Sequence, residues 1–229
     1  IMVGENMSAK RFKLIVLMLL SMILSSCFEE KNLSFKIADA ENQYFSRSGR
    51  LFITGGKNIF EVRKNSSQEL VKSGPLFDGD CYATGIVEYR NFLYATCTSI
   101  TKDRLKDLIK EKRCRLRDRL VLKCLKGKFA PSYLLAAKLD EFPKFQIISS
   151  LDSFLFPNGL AVDKGGNLYS ADSLSKIIFK MKLSSFNPYE LEKIETWYKT
   201  KLRYPNGLKI KNNVLYITDF NRLKKVQIT

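Results

Sequence analysis

Residues 156–181, FPNGLAVDKGGNLYSADSLSKIIFKM, decide the fold. Gly159-Leu160-Ala161-Val162 is a short apolar run. Asp163-Lys164-Gly165-Gly166-Asn167 is a tight turn, because glycine and asparagine accept positive φ at little cost. Leu168 to Asp172 reads as a second strand. Lys176 to Met181 reads as a third, carrying β-branched and aromatic residues. The stretch is therefore three strands joined by short turns and opened by Pro157-Asn158-Gly159.

The same pattern returns. Tyr204-Pro205-Asn206-Gly207-Leu208-Lys209-Ile210 leads through Lys211-Asn212-Asn213 into Val214 to Asp219, and Asn206 stands 48 positions after Asn158. Fainter copies begin at Gly85 (Gly85 to Ala95) and at Gly49 (Gly49 to Val62). A repeat of about 40–50 residues holding several strands is the signature of a β-propeller blade. The rival is an antiparallel sandwich with similar hairpins, and the recurrence of Pro-Asn-Gly-Leu with matching strands behind it favours the propeller.

The start of the chain reads as an address. Met7 is followed by Lys10, Arg11 and Lys13, then by the apolar run Leu14 to Leu24, then by Leu24-Ser25-Ser26-Cys27. This is a bacterial export signal whose last four residues resemble a lipobox. It implies cleavage before Cys27 and lipidation of that thiol, and two or more acyl chains anchor a protein stably. The apolar run is shorter than the ~20 residues a spanning helix needs. The expected organisation is a signal peptide over 1–27, a tether over 28–44 and a partial propeller over 45–229. The location is the bacterial cell envelope, and Phe28 after the cysteine favours the outer membrane or a periplasm-facing position.

Composition fits a folded exported domain, at 45% hydrophobic and 12% aromatic residues. The chain has no histidine, which removes the commonest general base and any Ser-His or Cys-His pair. Beyond Cys27 stand Cys81, Cys97, Cys114 and Cys124. Four thiols in an oxidising compartment allow three connectivities, or remain free. A hairpin turning near Arg90-Asn91 would set Cys81 opposite Cys97, leaving Cys114 with Cys124 by elimination.

The formal charge of +16 is concentrated. Twelve Lys/Arg and four Asp/Glu lie between Lys102 and Lys128, with Leu105, Leu108, Ile109, Leu116 and Leu120 at helical spacing. This predicts a basic amphipathic helix over about 101–128, inserted between two blades. An exported chain meets no nucleic acid, so an anionic envelope surface is the partner this helix suits, unless its leucines pack on the propeller. No phosphate loop, dinucleotide fingerprint or nucleophile elbow occurs.

Asn158-Gly159-Leu160, the strand to Asp172 and the Ser173-Leu174-Ser175 behind it resemble the gluconolactonase, regucalcin and senescence-marker family. The resemblance implies an all-β, six-bladed propeller, with about four blades present here, and one divalent metal, usually calcium, near the central channel. It implies Asn158 and Asn206 as metal-binding residues and Asn206 as a catalytic group. Calcium takes neutral and anionic oxygens, and it would polarise a lactone carbonyl and acidify bound water. Thr84 stands where a third asparagine is common in the family, and only Glu61 and Glu88 offer themselves for its N-terminal glutamate.

The expectation is thus an exported lipoprotein with metal-assisted hydrolysis of a sugar lactone or similar ester. The alternative is a non-catalytic propeller that binds a small ligand or a protein at the envelope. At about 45 residues per blade the chain is expected to be part of a longer reading frame.

Overall fold

The computed structural model describes residues 35–65, 67, 70–77, 79–99 and 131–228. The signal segment with Cys27, the basic insert over 101–128 and the Cys114–Cys124 pair lie outside them. Among the described residues every regular element is a strand, and the strands form four antiparallel sheets.

Blade one contains β1 (Ala40–Phe45), β2 (Leu51–Gly55), β3 (Asn58–Lys64) and β4 (Leu70–Ser73) in that order. Blade two runs β5 (Tyr82–Tyr89), β6 (Phe92–Thr98), β7 (Ser132–Lys138) and β8 (Gln146–Ser150). Blade three runs β9 (Pro157–Val162), β10 (Asn167–Asp172), β11 (Ile177–Leu183) and β12 (Leu191–Tyr198). Blade four has β13 (Pro205–Lys211), β14 (Val214–Asp219) and β15 (Arg222–Gln227). The first strand of each sheet packs against the first strand of the next, β1 on β5, β5 on β9 and β9 on β13. These four strands line the axis of a propeller.

Blades two and three are buried on both faces, and the sequence shows why. Along β6, Leu93 and Ala95 pack toward blade one while Tyr94 packs toward blade three. Along β7, Leu135 and Ala137 take one side, Leu134 and Ala136 the other. A strand sandwiched in this way reads as a continuous apolar run rather than an alternating one. Three cores result, one per blade interface. The last of them joins Tyr169, Ala171 and Ile178 of blade three to Leu215 and Ile217 of blade four.

The turns follow their residues. Arg90-Asn91 and Asn212-Asn213 all adopt positive φ, between 51° and 57°, the geometry of the two-residue hairpin turn that asparagine favours. Gly166 takes φ +84° in the β9–β10 turn.

Three expectations need correction. The segment 28–44 is not wholly a tether, because β1 begins at Ala40 and pairs Tyr44 with Phe52. Tyr44 packs on two of the cores and so holds this otherwise polar strand in place. The copy at Gly49 is consequently one strand out of step, since Gly49 to Val62 spans β2 and β3 rather than an innermost pair. The basic insert does not lie between blades. β6 and β7 flank it and pair with each other through Cys97 and Tyr133, so it interrupts blade two.

Candidate functional site

Each innermost strand from β5 onward carries a two-residue bulge. Thr84-Gly85, Asn158-Gly159 and Asn206-Gly207 sit where the ladder with the second strand skips. One residue of the second strand faces each bulge, namely Thr96, Ala171 and Thr218. The Thr96 hydroxyl accepts the Gly85 N–H at 3.1 Å, and the Thr218 hydroxyl accepts the Gly207 N–H at 2.7 Å. Hydroxyls thus satisfy donors that the bulge would otherwise orphan.

The bulges of neighbouring blades touch. A Cβ on Gly85 would collide with the Asn158 carbonyl oxygen, and one on Gly159 with the Asn206 carbonyl oxygen. Glycine is required here by close backbone approach rather than by φ. The two Pro-Asn-Gly corners therefore lie side by side at one mouth of the channel.

Asn158 is 2% exposed. Its Nδ2 donates to Ser173 Oγ at 3.4 Å, and Ser173 Oγ donates to the Pro205 carbonyl at 2.6 Å. This relay fixes which end of the amide is which, because Ser173 has already spent its proton. Asn158 Oδ1 is left buried with no hydrogen-bond partner among the described residues. An orphaned buried acceptor costs about 1–3 kcal/mol, so it marks a place where a ligand would gain. Asn206 is half-buried, and its side-chain amide makes no hydrogen bond among the described residues.

The other candidates are occupied or distant. The Thr84 hydroxyl lies 3.0 Å from the Thr96 hydroxyl and bonds the Thr96 carbonyl. Glu61 is gripped by Arg50 Nε at 2.7 Å and Arg63 Nη2 at 2.6 Å. Glu88 accepts the Arg47 N–H at 2.8 Å. It stands four residues along β5 from Thr84, about 13 Å at ~3.3 Å per residue, toward the opposite mouth.

Two residues that carry the corner geometry were not singled out as site residues. Asp172 is fully buried and accepts four backbone N–H groups, from Leu155, Phe156, Leu174 and Ser175. Burial pushes its carboxyl up, against the downward pull of the Ser175, Leu155 and Phe156 N–H groups. Asp219, also fully buried, accepts the N–H groups of Arg203 and Tyr204 at 2.8 and 2.7 Å. Both aspartates clamp the loop leading into Pro-Asn-Gly. The signal was visible as an aspartate closing the second strand of both repeats.

Among the described residues no three Cys, Asp or Glu side chains gather as a metal cluster would. Asn158 Oδ1 is one neutral oxygen, Asp172 is saturated by N–H donors, and neither glutamate reaches this mouth. This donor set does not fit a calcium ion, which takes six to eight oxygens including carboxylates. A larger recess of about 720 Å³ lies on blade one between Phe45, Val62 and Leu70, and of its two carboxylates, Glu61 and Glu141, the buried Glu61 is already bound by two arginines.

No sequence family matches the chain, and no curated protein does. Solved structures match its shape. A candidate gluconolactonase superposes with TM-score 0.58 at 12% identity, covering 82% of this chain and 60% of that one. A gluconolactonase from Xanthomonas campestris gives 0.56 at 12% identity, covering 82% and 58%. A chain of the nidogen–laminin complex gives 0.53 at 19% identity, covering 86% and 61%. The chain thus spans about 60% of the length of the propellers it matches. The fold it adopts is that of the gluconolactonase-like β-propellers.

Proposed function

We propose that this chain is the propeller of a bacterial envelope lipoprotein, anchored through Cys27, and that its Pro-Asn-Gly face binds a small oxygen-rich ligand such as a sugar lactone or a related ester. The observation that carries the reading is Asn158 Oδ1, buried without a partner while Ser173 locks the amide. A ligand hydroxyl that moves aside the groups covering that oxygen and donates to it repairs a buried defect, and the half-buried Asn206 amide of the neighbouring corner offers both a donor and an acceptor. This makes a binding site whose orientation is set before the ligand arrives, the condition under which ordering costs are lowest.

The second reading is metal-assisted lactone hydrolysis. It is favoured by the fold shared with the gluconolactonase of Xanthomonas campestris. The described residues do not themselves supply the carboxylates such a metal needs.

The experiment is calorimetric binding of galactono-1,4-lactone to the full chain, with and without calcium, alongside its hydrolysis rate. Calcium-independent binding that Asn158→Ala weakens at least tenfold supports the first reading. Hydrolysis that requires calcium and disappears in Asn158→Ala supports the second. Neither binding nor hydrolysis overturns both. The anchor has its own test: Cys27→Ala abolishes palmitate incorporation, and labelling that persists in this variant overturns it.

A further inference from the structure

The C-terminal halves of the four innermost strands enclose a different cavity, at the channel end away from the Pro-Asn-Gly corners. It measures about 280 Å³ and is bounded by Asn42 and Gln43 of β1, Arg47 just beyond it, Glu88 of β5 and Lys209 of β13, with Tyr44 and aliphatic side chains between them. None of these residues takes part in the site built around Asn158.

The charges around it do not cancel. Glu88 is 5% exposed and spends one carboxylate oxygen on the Arg47 backbone N–H. The Arg47 guanidinium stands 3.9 Å from the other oxygen and is 73% exposed, so the pair is loose and the arginine keeps donors to spare. Lys209 lies across the channel and makes no ion pair among the described residues. Two cations thus border the cavity beside one carboxylate, a surplus of one positive charge; Lys209, like Arg47, is exposed, so its pull on an anion weakens with salt. The side-chain amides of Asn42 and Gln43 make no hydrogen bonds among the described residues, so the wall also offers neutral donors and acceptors.

We propose that this cavity is a second ligand site, for a small polyhydroxy carboxylate. The ligand carboxylate meets Lys209 and Arg47, and its hydroxyls exchange hydrogen bonds with the Asn42 and Gln43 amides. The volume, roughly nine waters at ~30 Å³ each, lies at the small end of ligand pockets. It admits a six-carbon sugar acid and leaves little room for a nucleotide. Nothing in this assignment depends on what the Pro-Asn-Gly mouth binds, because the two sites share no residue.

The test is calorimetric titration of the full chain with gluconate at low salt. Gluconate binds, Lys209→Gln and Arg47→Ala each weaken it at least tenfold, Lys209→Arg retains most of it, and Asn158→Ala changes it less than twofold. Glucitol, with the hydroxyls but no carboxylate, binds at least tenfold more weakly, and so does acetate, with the carboxylate alone. Melting temperatures within a few degrees of the parent show that the variants are folded. No gluconate binding overturns the proposal. So does binding that survives Lys209→Gln, binding that Asn158→Ala removes, or acetate binding as tightly as gluconate.

Discussion

Cys97 occupies in blade two the position that Asp172 occupies in blade three. Cys97 pairs with Ala83 in the ladder as Asp172 pairs with Pro157, each at the outer end of the bulge. Two residues before Ala83 comes Cys81, and two before Pro157 comes Leu155. The disulfide joins Cys97 to Cys81 across a Cα–Cα distance of 5.6 Å, and the Asp172 carboxylate accepts the Leu155 N–H. A covalent bond and a carboxylate thus do the same job, holding the lead-in loop against the second strand so that the corner behind it is fixed. Asp219 repeats the carboxylate form in blade four through Arg203 and Tyr204.

If the two clamps are equivalent, one can replace the other. Cys81→Ala with Cys97→Ala is expected to lose about 3 kcal/mol, the value for closing a loop of this length. Cys81→Leu with Cys97→Asp should recover at least ~1 kcal/mol of that, since hydrogen bonds to a charged group contribute about 1.5–3 kcal/mol. Urea denaturation of the two double variants measures the difference. Reductant should destabilise the parent more than either variant. Equal stability of the two variants would show that the positions match in register only.

The bulge glycines differ in what they exclude. Gly159→Ala drives a methyl into the Asn206 carbonyl and the Leu208 N–H, both backbone atoms. A cost of about 1–3 kcal/mol is expected, because a packed backbone cannot yield cheaply. In Gly207→Ala the methyl meets chiefly the Thr218 hydroxyl at 3.0 Å, a side chain that can turn, so a loss under ~1 kcal/mol is expected. Thermal melts of both variants under one condition decide it, and equal losses would mean that the blades are not held at the bulges.

Acid should unfasten blade one. Burial pushes the Glu61 carboxyl up, but hydrogen bonds from Arg50 and Arg63 outweigh it and hold it below its ordinary value of 4.5. A carboxyl whose folded value is depressed adds stability that is fully present above its unfolded value and is lost as pH falls through the folded one. Stability should therefore be flat above about pH 5 and decline below ~4.5. Glu61→Gln should cost about 1–3 kcal/mol at pH 7. That is less than the usual loss for a fully buried pair, because the Arg50 and Arg63 side chains are 22% and 32% exposed. The gap between parent and variant should close toward pH 3. A gap that stays constant from pH 7 to pH 3 would assign the loss to packing.

Blades three and four were legible because their chemistry is local. Pro-Asn-Gly, a Gly-Gly or Asn-Asn turn and a β-branched strand all lie within a few dozen residues of one another. The hairpin turn at Arg90-Asn91 was legible for the same reason. β1 was not, because Ala40-Glu41-Asn42-Gln43-Tyr44-Phe45 has no apolar alternation and is held by one aromatic side chain reaching two cores. The insert was misplaced because β7, Ser-Tyr-Leu-Leu-Ala-Ala-Lys, is apolar on both faces and follows a long interruption, so nothing local ties it to β6. At the site, the position of the Asn158 corner could be read, but the state of its amide could not. That state depends on Ser173 donating to Pro205, a residue of the next blade.

Ser173 is therefore the residue through which the Asn158 amide can be tested without touching it. Ser173→Ala removes the acceptor of Asn158 Nδ2 and the donor to Pro205. The amide is then free to turn, and the orphaned oxygen no longer has one fixed position. Binding of galactono-1,4-lactone should weaken by about three- to tenfold, corresponding to roughly 0.7–1.4 kcal/mol, while stability falls by about 1 kcal/mol from the lost interblade hydrogen bond. Ser173→Thr keeps the hydroxyl and should restore most of the affinity if the added methyl is accommodated, which its melting temperature reports. Calorimetry on the three proteins separates the outcomes. Lactone affinity that follows the hydroxyl, and not the melting temperature, assigns Ser173 the positioning of Asn158. Affinity that follows stability alone reduces it to a blade-to-blade tie.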